Sequence, residues 1–468
     1  MQKLMRSLWA CAVIAGVVAF GTTPSSAQPP RTERWLLLSD IHLNPFDDPA
    51  IVDTLAQASA AQWHDIFEAK EASAPPSGYA KDTNYALLAS TLAEMKAVVQ
   101  NPPVVVIAGD LLAHEFPQLF VRAQPGKPPA AYESFVDKTV AYLALELNAA
   151  YPNAQFVVTL GNNDGYCGDY HSQPRSPFLA HMAQAWGPLV NRYAHAPDFI
   201  ADFPEAGYYT AMLPTQTRAQ AVVVNSVFWS AAYQNTCGLP SENPGQIELA
   251  WLKAAIAGTP GTYRWFVTHI PPGIDAYSSM RAAKPVPFMD EPSAEALVAT
   301  MADPQARAVE IIAGHTHHAS FEIASAGNVR VPMAVLPSIS PVQANNPAFV
   351  VADVAPETGI IADFTTYALP LGLTGQATAW TKEYQFSSAY GSTAFDAPNL
   401  DKLQTALGTD AALRSTYAAY YTSKSPVGAI SAANWAWYWC SDVNLSSAAY
   451  AACVARTAPS PAPSASPR

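Results

Sequence analysis

Eight residues in five short segments carry side chains that bind divalent cations. SDIH supplies Asp40 and His42, and AGDLLAHE supplies Asp110. LGNND supplies Asn162 and Asn163, VTH supplies His269, and AGHTHH supplies His315 and His317. Imidazole nitrogen with carboxylate and amide oxygen suits Zn²⁺, Fe or Mn²⁺. Any one segment alone reads equally well as a polar turn. What they share is the sequence before them, because each follows an apolar run of strand length. Residues two apart on an extended segment point the same way. Asp40 with His42, and His315 with His317, are therefore each expected to face one cleft. Gly109, Gly161 and Gly314 would let the backbone turn sharply beside the ligands.

The elements that must position these residues alternate along the chain. Strands are predicted at 35–39, 104–108, 156–160, 221–228, 265–269 and 309–314. Amphipathic helices are predicted at 84–99, 132–149, 246–256 and 293–302. Such alternation implies a layered α/β fold. Its strands share one rim at their C-terminal ends, where ligands bind. Three further β-like runs, at 329–336, 348–354 and 359–367, are spaced like consecutive antiparallel strands. Past 375 the texture changes to Ala, Ser, Tyr and Trp. Residues 375–455 are expected to form a small helical domain, with WAWYWC (435–440) as packing aromatics, and 456–468 a disordered tail.

Composition narrows the partners. Half of the 468 residues are hydrophobic, enough for a large core. A net charge of −12 argues against long nucleic acids, whose phosphates select basic surfaces. A small phosphate substrate remains compatible, since bound cations reverse the local field. Lys3 and Arg6, the apolar run Leu8–Phe20 and Ser25-Ser26-Ala27 read as a signal peptide (1–27) cut near Ala27, and so as a secreted or periplasmic protein. Four cysteines follow it, and an oxidising compartment favours disulfides. Of three connectivities, Cys440–Cys453 with Cys167–Cys237 is preferred.

In their order, the five segments resemble the calcineurin-like metallophosphoesterases. That pattern runs D-x-H, GD, GN followed by His and an acid, a lone His, and GH-x-H. The resemblance covers about residues 35–367 and places the catalytic domain at 28–374. The His four after Asp110, the Cys-containing segment after GN, THIPPG, PSISPVQANNPAF (337–349) and a cysteine-closed helical C-terminus are similar to the acid sphingomyelinase and sphingomyelinase-like phosphodiesterase branch. The resemblance implies a two-sheet β-sandwich flanked by helices. It implies two divalent metal ions, with zinc favoured and Fe or Mn compatible. Asp40, His42 and His317 would hold one, Asn162, His269 and His315 the other, and Asp110 would bridge them. It implies hydrolysis of a P–O bond in a small phosphodiester, of phospholipid-headgroup or nucleotide type, by a metal-bridging hydroxide.

One position departs from that pattern. Most members of that family have His directly after the GN asparagine, and here it is Asn163. An amide can hydrogen-bond phosphate but cannot serve as an acid. His114 is the candidate general acid. Asp164 reads as a structural acid. His318 reads as facing away from the ligands, His171 as a weak cleft candidate, and His64, His181 and His195 as unrelated to the site. GNND is also similar to the polyphosphatase branch, so polyphosphate or phosphomonoester hydrolysis is an alternative. A catalytically weak metal-binding protein is the reading from another class. The Trp-rich stretch 435–439 is compatible with a lipid surface contact, and no obligate protein partner is evident.

Overall fold

The computed structural model describes residues 31–71, 73–192, 199–235, 243–373 and 375–457. The segment read as a signal peptide, Cys237 with its expected pairing to Cys167, His195 and the tail beyond 457 lie outside these residues.

The apolar runs become strands. In chain order they are β1 (Glu33–Leu38), β2 (Val104–Ile107), β3 (Gln155–Val158), β4 (Tyr209–Leu213), β5 (Ala219–Val223), β6 (Tyr263–Val267), β7 (Ala308–Ala313), β8 (Ser320–Ala326), β9 (Val329–Val335), β10 (Ala348–Val354), β11 (Ile361–Ala368) and β12 (Thr381–Gln385). They form two six-stranded sheets, in the orders β12-β11-β10-β1-β2-β3 and β4-β5-β6-β7-β9-β8. The pairs β1–β2, β2–β3, β5–β6 and β6–β7 are parallel. VVVI of β2 is buried throughout, as a strand covered on both faces must be.

The sheets pack face to face. The Trp35 and Trp265 rings, on β1 and β6, are 4.9 Å apart between centroids. Helices Tyr85–Val98 and Pro129–Ala150 bury Leu87, Leu88, Val136 and Leu143 in the core shared with β1–β3. Helices Pro244–Gly258 and Glu291–Met301 bury Leu252, Ile256, Leu297 and Met301 in a second core with Phe266, Ile311 and Met333. The architecture is the expected sandwich with helices flanking both sheets.

Three expectations are corrected. The predicted strand 221–228 ends at Val223, and Ser226–Trp229 form a 3-10 turn. The Ser226 hydroxyl accepts hydrogen bonds from the backbone N–H groups of His269 and Ile270, which bends the chain across the strand end. Second, β9 and β10 are not neighbours. β9 joins the second sheet and β10 the first, so only β10 and β11 form the antiparallel hairpin. Third, the region after 375 is not wholly helical. β12 pairs with β11 and closes the edge of the first sheet.

The remaining C-terminal elements are helical, with Ala397–Leu407, Ala411–Tyr421, Trp435–Val443 and Ser447–Thr457 as the main helices. Leu400, Leu407, Tyr417 and Trp435 enter the same core as β1. Cys440 and Cys453 are bonded, with 5.7 Å between their Cα atoms. Closing a loop of this size removes roughly 3 kcal/mol of chain entropy from the unfolded state. Among the described residues, no helix is long and apolar enough to cross a membrane.

Candidate metal centre

The segments following β1, β2, β3, β6 and β7 meet at one rim. Residues 40 and 317, far apart in sequence, are thereby brought into contact. The local geometry differs from the extended one expected. Asp40, His42, Asp110, His315 and His317 have φ of 51°, 46°, 55°, 73° and 62°, in the left-handed region that non-glycine residues avoid. Such strain costs about 1–3 kcal/mol per residue and persists where surrounding structure imposes it. Here the loops are tied to one another. Asp40 N–H donates to Gly109 O at 3.0 Å, His42 N–H to Asp110 O at 2.9 Å, and Ser340 N–H to Asp40 O at 3.1 Å. Gly161 and Gly314 are required by crowding. A Cβ at Gly161 would lie 2.0 Å from Asp110 Oδ1, and one at Gly314 would lie 1.9 Å from Ser39 Oγ.

Two groups of ligand atoms result. In the first, His42 Nε2 and His317 Nε2 are 3.2 Å apart. Asp40 Oδ1 lies 3.8 Å and 3.5 Å from them. In the second, Asn162 Oδ1 lies 3.1 Å from His269 Nε2 and 2.9 Å from His315 Nδ1. Asp110 Oδ2 stands between the groups, 3.3 Å from His42 Nε2 and 3.2 Å from His269 Nε2. The seven side chains thus lie in two groups that Asp110 joins.

The hydrogen bonds behind these atoms aim them. His42 Nδ1 faces Leu112 O at 2.8 Å, and His269 Nδ1 faces Ala108 O at 2.6 Å. Each carbonyl takes an Nδ1–H, leaving the Nε2 lone pair toward the cluster. Asp169 does the same for Asn162. It accepts from the amide Nδ2 at 2.6 Å, which turns Oδ1 inward. Asp40 Oδ2 is taken by the Ser39 hydroxyl and by His315 N–H. Asp40 Oδ1 is buried and accepts no hydrogen bond.

This donor set fits two divalent ions. Burial opposes charge on His42 and His269, yet the adjoining carboxylates, Asp110 foremost, push these imidazoles up to about 10 and about 9. His317 and His315 are held down, to about 3 and about 4, first by burial and then by neighbouring imidazoliums. Divalent ions would take the place of the protons that the carboxylates draw onto His42 and His269 Nε2, and would also meet the orphaned Asp40 oxygen and the neutral imidazoles of His315 and His317. Cations satisfy all of these at once.

His114 lies beside the first group. Its ring stacks on His42 with centroids 4.0 Å apart. Its Nδ1 is 2.9 Å from Asp82 Oδ1, and its backbone N–H donates to Asp82 Oδ2 at 2.8 Å. Asp82 also accepts from the Ser340 hydroxyl. Burial works against the Asp82 charge, but His114 and His42 keep this carboxyl below its ordinary range. Asp82 and Asp169 were not read from the sequence. Each is a lone acid outside any motif, in KDTN and in CGDY, and no local signal marks it.

Asn163 is placed differently from the expectation. Its backbone N–H and side-chain amide both donate to Asp110, at 2.8 and 3.0 Å, and it does not line the cleft. It positions the central carboxylate. Asp164 accepts from the N–H groups of Gly161, Leu111 and Leu112 and so ties the loops after β2 and β3 together. His318 stacks on Tyr421 at 4.7 Å. His64 and His181 pair with Glu146 and Asp137 away from the centre, and His171 does not line the cleft.

The centre opens into a cleft of about 610 Å³. Asp110, His114, Asn162, His315 and His317 line its floor, and residues after 420 form the opposite wall.

Comparison with known proteins agrees with this geometry. Residues 34–319 match the family model described as calcineurin-like phosphoesterase. The chain belongs to that family. It is 26% identical over 326 residues to sphingomyelinase phosphodiesterase D of Dictyostelium discoideum, covering 67% of this chain and 66% of that protein, just under two thirds of its length. It is 24% identical to human acid sphingomyelinase-like phosphodiesterase 3b, covering 83% of this chain and 82% of the relative. A shorter match, 26% identical over 42% of this chain and 33% of the relative, is to endopolyphosphatase of Schizosaccharomyces pombe.

Proposed function

We propose that this chain is an exported metal-dependent phosphodiesterase that hydrolyses a P–O bond of a small phosphodiester. The observation that carries the reading is Asp110 Oδ2 within 3.3 Å of an imidazole from each ligand group. Asp40, His42 and His317 would hold one divalent ion, and Asn162, His269 and His315 the other, with Asp110 common to both. Such a pair supplies a water of lowered pKa and positive charge for the phosphoryl oxygens. The chain's own residues supply the rest. Asn163 fixes the Asp110 carboxylate. Asp82 holds His114 by Nδ1, leaving Nε2 to donate a proton to the departing oxygen.

Three further points support the reading. The relatives matched over most of the chain are named as phosphodiesterases. All seven ligand positions are intact, which disfavours a protein that only binds metal. The Cys440–Cys453 disulfide supports an oxidising compartment, in keeping with the signal-like segment before Ala27. Zinc is the proposed metal on family grounds. The endopolyphosphatase match keeps polyphosphate as a second substrate class to test.

The test is hydrolysis by the metal-loaded chain of bis(p-nitrophenyl) phosphate, with p-nitrophenyl phosphate and polyphosphate as comparators. The expected result is diester turnover above both comparators, abolished by chelation and restored by Zn²⁺ or Mn²⁺. Stoichiometric metal with no turnover of any of the three would replace this reading with the metal-binding one.

A further inference from the structure

Two adjacent residues on the segment after β3 reach the second ligand group. Asp169 Oδ1 accepts from Asn162 Nδ2 at 2.6 Å, and the Tyr170 hydroxyl lies 3.4 Å from His315 Nε2. The segment is also tied to the ligand's backbone, because Tyr170 N–H donates to Asn162 O at 2.9 Å. From its other side, Gln234 N–H donates to Tyr170 O at 3.0 Å. Tyr170 has φ of 58°, in the left-handed region, so its place is imposed by these surroundings. Its ring packs against the second core and meets the His315 ring at 83°. The four imidazoles of the centre are held in different ways. Carbonyls face Nδ1 of His42 and of His269, and Nδ1 of His317 is buried with no hydrogen-bond partner. His315 is the one met by a side-chain hydroxyl.

We infer that Asp169 and Tyr170 are positioning residues for the ion that Asn162, His269 and His315 would hold, and that they set its affinity separately from that of the ion at Asp40, His42 and His317. The inference rests on the ligand assignment in the proposed function and adds what aims two of those ligands. A carbonyl only accepts, whereas a hydroxyl both accepts and donates. With the site empty, His315 Nδ1–H donates to Asn162 Oδ1, 2.9 Å away, and the Tyr170 hydroxyl donates to Nε2. With an ion at Nδ1 the imidazole proton sits on Nε2, and Tyr170 accepts it. The imidazole keeps a partner in both states. Asp169 acts more simply. An ionised carboxylate takes only the NH₂ end of an amide, so Asn162 Oδ1 stays turned toward His269 and His315. Among the described residues, neither Asp169 nor Tyr170 hydrogen-bonds to Asp40, His42 or His317.

Zn²⁺ affinities of the full chain, measured by competition with a chromophoric chelator, test this in two backgrounds. His317→Ala leaves the second ligand group intact, and His315→Ala leaves the first. Adding Tyr170→Phe or Asp169→Ala to His317→Ala is expected to weaken the remaining ion by about 10–100-fold. Adding either to His315→Ala is expected to change the remaining ion by less than about threefold. In the chain with all seven ligands, the same substitutions are expected to weaken one ion and leave the other. Tyr170→Phe removes a hydroxyl and keeps the packed ring, so the melting temperature of the metal-free chain is expected to stay unchanged. An effect of equal size in both backgrounds, or of less than about threefold in His317→Ala, overturns the inference. Turnover plays no part in this readout. Selective weakening by a chain that hydrolyses no ester would keep the inference and sink the hydrolase reading. Turnover by a chain whose affinities these substitutions leave alone would do the reverse.

Discussion

Asp110→Asn is expected to lower kcat on bis(p-nitrophenyl) phosphate by about a thousandfold or more. A metal pair contributes several kcal/mol to transition-state stabilisation, and each 1.36 kcal/mol is about a factor of ten. Asp110 is the carboxylate that touches both ligand groups. Asparagine keeps its shape but removes the charge shared between them. The Asn163 amide would then face another amide instead of a carboxylate, so the side chain also loses its anchor. The variant is expected to fold, since the loops after β2 and β3 stay joined through Asp164. Steady-state kinetics at saturating Zn²⁺, with circular dichroism as the folding check, reads the effect. A loss of less than tenfold would mean that Asp110 does not hold both ions.

His114→Ala has the second largest expected effect, and its signature is selectivity. General acid catalysis is worth roughly 10²–10⁴-fold when the leaving oxygen is basic. p-Nitrophenolate needs little help, whereas an alkoxide needs a proton. The rate on an alkyl diester is therefore expected to fall by about 10²-fold or more, and the rate on a p-nitrophenyl ester by less than about tenfold. Asp82→Asn is expected to show the same pattern at smaller size, because it frees the imidazole that Asp82 now fixes. A competing geometry sharpens the test. Atoms of His42, His114 and His317 lie close enough to hold one ion. If His114 is a ligand, His114→Ala loses metal and slows both esters alike. That outcome would remove the general acid assignment.

The sequence was a good guide to the strands that are continuous apolar runs and a poor one to strands of mixed composition. β1, β2, β3, β6 and β7 are buried apolar runs, and each was legible as a strand. β4, β8 and β12 were missed, and all three are edge strands. β4 shows alternating burial in YTAML, and β12 has the polar sequence TKEYQ. Their hydrophobic signal is correspondingly thin. The candidate ligands were legible because each follows a readable strand. Their convergence was foreseen, but not the left-handed backbone that produces it, since the five strained residues are not glycines. Asp82 and Asp169 were invisible because their partners, His114 and Asn162, are neighbours in space that no sequence spacing encodes. Asn163 was read toward the substrate, and only the structure turns its amide onto Asp110.

The most direct measurement is metal stoichiometry on the purified chain. After incubation with Zn²⁺, Mn²⁺ or Fe²⁺ and dialysis, elemental analysis is expected to find two ions per chain. His317→Ala and His315→Ala are each expected to reduce that number to about one, by emptying different positions. No retained ion under any of these conditions would contradict the account at its root. So would a count of two that neither substitution changes.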